Sequence, residues 1–267
     1  MTTDTVSVTA SEIAPVAIDR VALTVRDIDL IGDFYQRILG LDRLSGSGEE
    51  LILGQDGRAL VELRRDTAAR AYPHAAGLFH TAFLLPHRDD LGRWLRHAHA
   101  QKVRMSGASD HMVSEALYLR DPEGNGIEIY ADRPRATWLH DGDHVVMETL
   151  PLDLASLRRA EGDWTGAPEG TVIGHVHLQV GAIPEARAFY AGELGFDITA
   201  EIPQASFFST GGYHHHLATN TWNSAGAGTR PKGATGLAEL VLDATDTAAI
   251  RTGLSVDDPW GNRIRVA

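Results

Sequence analysis

The sequence predicts an α+β fold built from repeats of one βαβββ module, and three observations predict it. A β-branched run at residues 18–25 is followed by apolar residues at helical spacing (Ile28, Ile31, Phe34, Tyr35, Ile38) and then by short strand-like runs. The same order restarts along the chain at a constant offset of 155: Arg20 answers to His175, Phe34-Tyr35 to Phe189-Tyr190, and Leu39-Gly40 to Leu194-Gly195. Finally, Asp121-Pro122-Glu123-Gly124-Asn125 is echoed by Asp258-Pro259-Trp260-Gly261-Asn262, the same turn chemistry at the same place in two modules.

Taken in order, the first dozen residues are Thr, Ser, Val and Ala without a clear period and predict a loose tail. Residues 18–25 predict a strand, and residues 27–39 a helix closed by Gly40. A short strand near 41–45 and the runs 50–53 and 58–64, joined by Gln55-Asp56-Gly57, complete the first module. The second module takes 78–85 as a strand, 89–101 as an amphipathic helix, and 114–120 and 126–130 as strands around the Asp-Pro turn. Residues 133–171 dissolve into Pro, Trp, Asp and Gly with one helical piece near 152–160, and read as a linker. The third module opens at Ile173-Gly174-His175-Val176-His177-Leu178 and the fourth at residues 237–242. His80 lies 41 residues before Asp121, whereas Glu239 lies only 19 before Asp258, so about two strands are missing from the fourth module.

Composition narrows the chemistry. The chain has 267 residues, 43% of them hydrophobic, enough for one large or two ordinary domains with a proper core. Twenty-four Lys and Arg against 36 Asp and Glu give a formal charge of −12, which argues against nucleic acid or an anionic membrane as the main partner and leaves a small molecule. With no cysteine there is neither a disulfide nor a thiolate, so any metal must be held by His, Asp or Glu. Residues 1–18 lack the basic start and apolar core of a leader, and no apolar run is long enough to span a bilayer; the expected location is the cytoplasm.

One stretch stands out: Gly211-Gly212-Tyr213-His214-His215-His216-Leu217 places three consecutive histidines among strand-forming and small residues. Histidine is both the commonest neutral metal ligand and the side chain most easily poised for proton transfer near neutral pH, so the run marks a metal or acid-base site. If the run is a strand, His214 and His216 share one face and His215 takes the other.

Four βαβββ modules carrying FY-x4-LG, DP-x-GN and a His in the leading strand resemble the vicinal-oxygen-chelate superfamily, which includes glyoxalase I, fosfomycin-resistance proteins and extradiol ring-cleaving dioxygenases. The segments HVHL, GYHHHLATNTW and DPWGN resemble its catechol-2,3-dioxygenase-like branch most. The resemblance implies modules paired into two cup-shaped, incomplete barrels. Residues 16–132 are then expected to form a metal-free N-terminal domain, 133–171 the linker, and 172–267 the C-terminal domain with the metal.

Within that fold the ligand positions fall on Arg20, Glu62, His80 and Glu128 in the first half and on His175, His216, Glu239 and Arg265 in the second. The resemblance therefore implies a metal on His175, His216 and Glu239, a two-His-one-carboxylate set suited to Fe(II), with Mn(II) or another divalent ion as the substitute. Glu62, His80 and Glu128 are the competing set if Arg20 points away. The HH-x-L-A motif implies a catalytic His; strand alternation favours His214 and the motif alignment His215. His177 and Tyr213 are expected to bind substrate, and His97, His99, His111, His140 and His144 to be ordinary surface residues. The activity implied is extradiol cleavage of a small aromatic diol by dioxygen, possible in a homo-oligomer. The alternatives are a glyoxalase-type divalent-metal isomerase or lyase, and a non-catalytic binding or resistance protein of the same fold.

Overall fold

A computed structural model of the chain describes residues 14–244 and 252–267, so the expected N-terminal tail lies outside the described residues. The first module runs β1 (Val16–Val25), α1 (Ile28–Phe34, continued by a wider turn over Tyr35–Leu39), β2 (Asp42–Gly46), β3 (Glu50–Gln55) and β4 (Arg58–Arg65). The second runs β5 (Gly77–Leu84), α2 (Arg88–Ala100), β6 (Met105–Asp110), β7 (Ser114–Arg120) and β8 (Gly126–Asp132). The connecting stretch holds a small hairpin, β9 (His140–Asp141) and β10 (His144–Val145), and one helical turn, α3 (Leu154–Leu157). The third module follows as β11 (Val172–Gln179), α4 (Ile183–Arg187, continued over Ala188–Glu193), β12 (Asp197–Ile202), β13 (Ala205–Ser209) and β14 (Leu217–Asn220). The fourth contributes β15 (Gly236–Ala244), β16 (Ser255–Asp257) and β17 (Arg263–Val266), with two strands after the leading strand among the described residues where the other modules have three.

Local chemistry explains the repeat. Asp27 caps α1 by accepting from Leu30 N, and Gly40 ends the helical stretch at φ 75°, a left-handed conformation that glycine adopts without strain. In each Asp-Pro turn one aspartate holds the loop: Asp121 Oδ1 accepts from Glu123 N and Asn125 N, and Asp258 Oδ1 from Trp260 N and Asn262 N. The helices bury their apolar stripes against the sheets, with Trp94 of α2 fully buried and donating its Nε1–H to Ile38 O.

The modules do not pair as the order of the chain suggested. One seven-stranded sheet runs β16-β17-β15-β1-β4-β3-β2, joining modules one and four; the eight-stranded sheet runs β12-β13-β14-β11-β5-β8-β7-β6, joining modules two and three. The expectation of one cup from residues 16–132 and another from 172–267 is thus corrected: each half contributes one module to each cup, and a single buried core extends from Val16 to Val266 through both. The two seams are antiparallel, β1 against β15 and β5 against β11. Each seam shifts register at equivalent places, between Ile18 and Arg20 in one and between Ile173 and His175 in the other, and the extra residues are Asp19 and Gly174, again 155 apart. Such bulges re-aim the side chains beside them.

At Gly174 the bulge also needs glycine, because a Cβ there would run into the Tyr130 hydroxyl and approach Leu84 Cβ to 3.1 Å. Gly174→Ala is expected to destabilise the fold by about 1–3 kcal/mol through overpacking. In a chain of this size that is a fall of several degrees in Tm. Thermal unfolding of the variant beside Gly57→Ala, where a Cβ meets nothing within 4 Å but φ is 76°, separates crowding from backbone strain: Gly174→Ala should be the more damaging.

Candidate metal centre

Across the β5–β11 seam His177 lies directly opposite His80, and His175 opposite Ala82. Ala82 in turn pairs with Glu128 on the parallel strand β8, and Glu128 with Tyr118 on β7. Opposed residues in a sheet present their side chains to the same face, so this register places His80, Glu128, His175, His177 and Tyr118 together. The small side chain of Ala82 leaves room between them.

The result is a compact donor cluster. His80 Nε2 is 3.0 Å from Glu128 Oε2, His175 Nε2 is 3.2 Å from the same oxygen, and the two Nε2 atoms are 3.4 Å apart. All three residues are buried. Two ligand atoms held at right angles roughly 2.1 Å from one ion would be about 3 Å apart, so the three converge as a facial two-His-one-carboxylate set does. The His175 Nδ1 is buried without a hydrogen-bond partner among the described residues, and Nε2 is the nitrogen turned to the cluster.

Electrostatics prepare the same protonation states that ligands require. Burial pushes the His175 imidazole down to about 4 against the pull of the Glu128 carboxylate. Burial works to raise Glu128, but His175 and His80 outweigh it and hold the carboxyl well below the usual range. Near neutral pH the centre therefore presents a carboxylate and a neutral His175. His177 and His215 are also held well below the ordinary imidazole range, first by burial and then by neighbouring imidazoles.

The cluster lies on the floor of a cavity of about 770 Å³ whose walls include Phe79, Phe207, Trp222, His177, His215 and Tyr118. Trp222 N donates to Asn220 Oδ1, which turns the Asn220 amide to His177 Nε2 at 2.9 Å. On the other wall His111 Nδ1 faces Glu148 O at 2.7 Å and its Nε2 faces the Tyr118 hydroxyl at 2.7 Å. A carbonyl only accepts, so His111 Nδ1 carries a hydrogen, and the Tyr118 hydroxyl is shared between His111 Nε2 and the Glu128 carboxylate.

The sequence model of the Glyoxalase/Bleomycin resistance protein/Dioxygenase superfamily matches residues 17–129 and 172–252. The chain belongs to that superfamily. It is 42% identical to a catechol-2,3-dioxygenase of Bacillus subtilis (strain 168) over 223 residues, 80% of this chain and 78% of the relative. It is 30% identical to biphenyl-2,3-diol 1,2-dioxygenase 3 of Rhodococcus globerulus over 101 residues, 36% of this chain and 53% of that one. Among solved structures, glyoxalase I from Zea mays shares the fold at a TM-score of 0.56 and 15% identity, over 94% of this chain and 92% of that one. No helix among the described residues is long and apolar enough to cross a membrane.

Within this superfamily fold the expected ligand set does not assemble. His175 joins the cluster, but Glu239 lies in the other sheet, where Arg265 Nε is 3.5 Å and Arg64 Nη2 3.6 Å from its Oε2. His216 is displaced by register. Ala22 pairs with Glu62 in one cup and its counterpart His177 with Ala218 in the other, so the position equivalent to Glu62 is Ala218 rather than His216. His216 is buried two residues earlier, its Nδ1 2.9 Å from Ser209 Oγ and its ring against Tyr213. The competing set fares better in part: His80 and Glu128 stand in the cluster, while Glu62 stays in the other cup with Arg64 Nε at 2.6 Å and Arg20 Nε at 3.6 Å.

The triple histidine run is not a strand. Gly211 and Gly212 adopt φ 62° and 69° and turn the chain, and β14 begins only at Leu217. Alternation therefore does not apply. His215 faces the cavity and packs on His175 with ring centroids 4.1 Å apart, whereas His214 is fully buried behind it. Tyr213, expected at the substrate, is also fully buried away from the cavity, its hydroxyl 2.8 Å from that of Tyr130; His177 does line the cavity. His111 and His144, expected as surface residues, line it too. Tyr118 was missed altogether. Its signal was position: it lies ten residues before Glu128, across the Asp-Pro turn.

The buried neutral imidazoles predict an acid limit for the metal-free protein. His175 titrates at about 4 when folded and near 6.5 when unfolded, so the folded state binds fewer protons in between. Its stabilising share is present above about 6.5 and is lost as pH falls toward 4, on the order of 3 kcal/mol for this residue. Urea unfolding of chelator-treated protein at pH 7.5 and pH 5 should show a clear fall in midpoint, and equal midpoints would contradict burial of neutral histidines.

Proposed function

We propose that the chain is a non-haem Fe(II) extradiol dioxygenase that cleaves a catechol-like aromatic diol. The observation that carries this reading is the convergence of His80, Glu128 and His175 on the floor of an aromatic-walled cavity large enough for a substituted ring. The 42% identity to a protein named catechol-2,3-dioxygenase over most of both chains supports it. The ligands are His80 Nε2, His175 Nε2 and Glu128 Oε2, and the cysteine-free donor set suits Fe(II) or Mn(II). Bound there, the ion supplies Lewis acidity toward a vicinal diol and a redox partner for dioxygen.

The chain's own groups do the rest. Phe79, Phe207 and Trp222 pack the ring and exclude water, their faces and edges interlocked with His177 at centroid separations of 5.1–6.1 Å. His215 is neutral and beside His175, placed to take a phenolic proton at Nε2. Tyr118 stays protonated, because burial and then the Glu128 carboxylate raise its hydroxyl well above the ordinary value. Its hydroxyl stands between His111 Nε2 at 2.7 Å and the Glu128 carboxylate, on the cavity wall that the second substrate hydroxyl would face.

Metal analysis and oxygen uptake test the reading together. Anaerobically reconstituted wild type should hold one iron per chain and consume oxygen with catechols. Glu128→Gln and His80→Ala should lose the iron, while Glu239→Gln keeps it. His215→Ala should keep iron yet lose turnover by on the order of a hundredfold to ten-thousandfold. Full iron loading without oxygen consumption on any catechol would transfer the site to the non-catalytic binding reading.

A further inference from the structure

His214 and Asp132 have no part in the reading so far, yet both are tied to His215. His214 Nδ1 is 2.8 Å from His215 Nδ1, and His214 Nε2 is 2.9 Å from Asp132 Oδ1. The same oxygen receives the Tyr213 hydroxyl at 3.4 Å, and Tyr213 is 2.8 Å from the Tyr130 hydroxyl. Burial, and then the charge of Asp132, keep both tyrosines protonated, so they are donors. His214 is fully buried between the rings of Tyr213 and Trp138, and Thr199 Oγ1 donates to its carbonyl at 2.6 Å. Nothing in this arrangement leaves the chain free to swing.

We infer that Asp132 and His214 are positioning residues that hold His215 as the Nδ1–H tautomer, with Nε2 bare toward the cavity. A carboxylate can only accept, so His214 must donate from Nε2. A neutral His214 then has a lone pair at Nδ1, and only a hydrogen on His215 Nδ1 can satisfy the 2.8 Å contact. The second nitrogen of His215 is left without its hydrogen. A bare Nε2 is what proton acceptance from a phenol requires, and the other tautomer would present a hydrogen to a hydrogen. Asp132 reaches the reaction only through two rings, as an orienting carboxylate does for a catalytic imidazole. The Asp132 side chain is 17% exposed against 0% for His214, and its second oxygen, Oδ2, is buried without a hydrogen-bond partner among the described residues.

The tautomer itself does not depend on the dioxygenase reading; its catalytic consequence does. The test is ring-nitrogen NMR of the full chain labelled with 15N-histidine and loaded with diamagnetic Zn(II), beside oxygen uptake by the iron form. In wild type the His215 signals should show a protonated Nδ1 and an unprotonated Nε2 that is not shifted by zinc. A protonated Nε2 on His215, an imidazolium at His214, or zinc ligation by His215 would each overturn the inference. Asp132→Leu removes the acceptor at similar volume and should populate the Nε2–H form of His215. Iron content and KM should stay within twofold while kcat falls about tenfold or more. A folded Asp132→Leu protein with the inverted tautomer and unchanged kcat would refute the positioning role. If that variant fails to fold, the wild-type spectrum still decides the tautomer. The expected spectrum without any oxygen uptake would count against the dioxygenase reading alone; uptake with the opposite tautomer would count against this inference alone.

Discussion

The antiparallel seam between β5 and β11 is the constraint on which the rest of the site depends. Neither strand carries a centre alone: β5 supplies His80, β11 supplies His175 and His177, and β8 must lie beside β5 for Glu128 to reach them. One residue of slip would turn every one of these side chains to the other face of the sheet. The bulge at Gly174 fixes the register, and the buried cost of the polar groups reinforces it, since the seam adds His175 to the partners, His80 and Tyr118, that Glu128 finds in its own module. Packing holds the seam and polar pairing specifies its alignment.

Much of this was legible in the chain. The four modules followed from periodicity and from the 155-residue offset, and of the eight repeat positions read from the chain seven hold, His216 standing two residues before the true position at Ala218. What sequence order does not state is which modules face each other. Adjacent modules were the natural pairing, yet a seam needs complementary polar residues. Arg20 and Glu62 find Arg64, Glu239 and Arg265 around them, while His80 and Glu128 find His175. Read by charge rather than by order, the arginine-bearing positions belong with the acidic ones and the histidines with each other. The reading of the triple run failed for a local reason: alternation holds only along a strand, and Gly211-Gly212 break the strand path just before it. His111 and Tyr118 were hidden because their roles come from the β7–β8 pairing and from the carbonyl of Glu148, which lies in the linker.

The two cups answer one physical problem in two ways. Equivalent positions on the two seams put polar side chains at the concave face, where an unpaired charge would be costly. In the cup of modules one and four, Arg20, Arg64 and Arg265 are matched by Asp19, Glu62 and Glu239, and the partial exposure of Arg64 at 40% and Arg265 at 34% tolerates contacts as long as 3.5–3.6 Å. In the cup of modules two and three the groups are nearly excluded from water, at 8% for His80 and 3% for Glu128 and for His175, and no arginine closes the charge. There a single carboxylate faces two imidazoles, of which burial keeps His175 neutral, and the three donor atoms converge. Under the proposed function a divalent cation would complete that cluster as the guanidinium groups complete the other. Among the described residues the fourth module, with fewer strands, falls in the arginine-bearing cup, and both modules around the His80–Glu128–His175 cluster have three strands after the leading one.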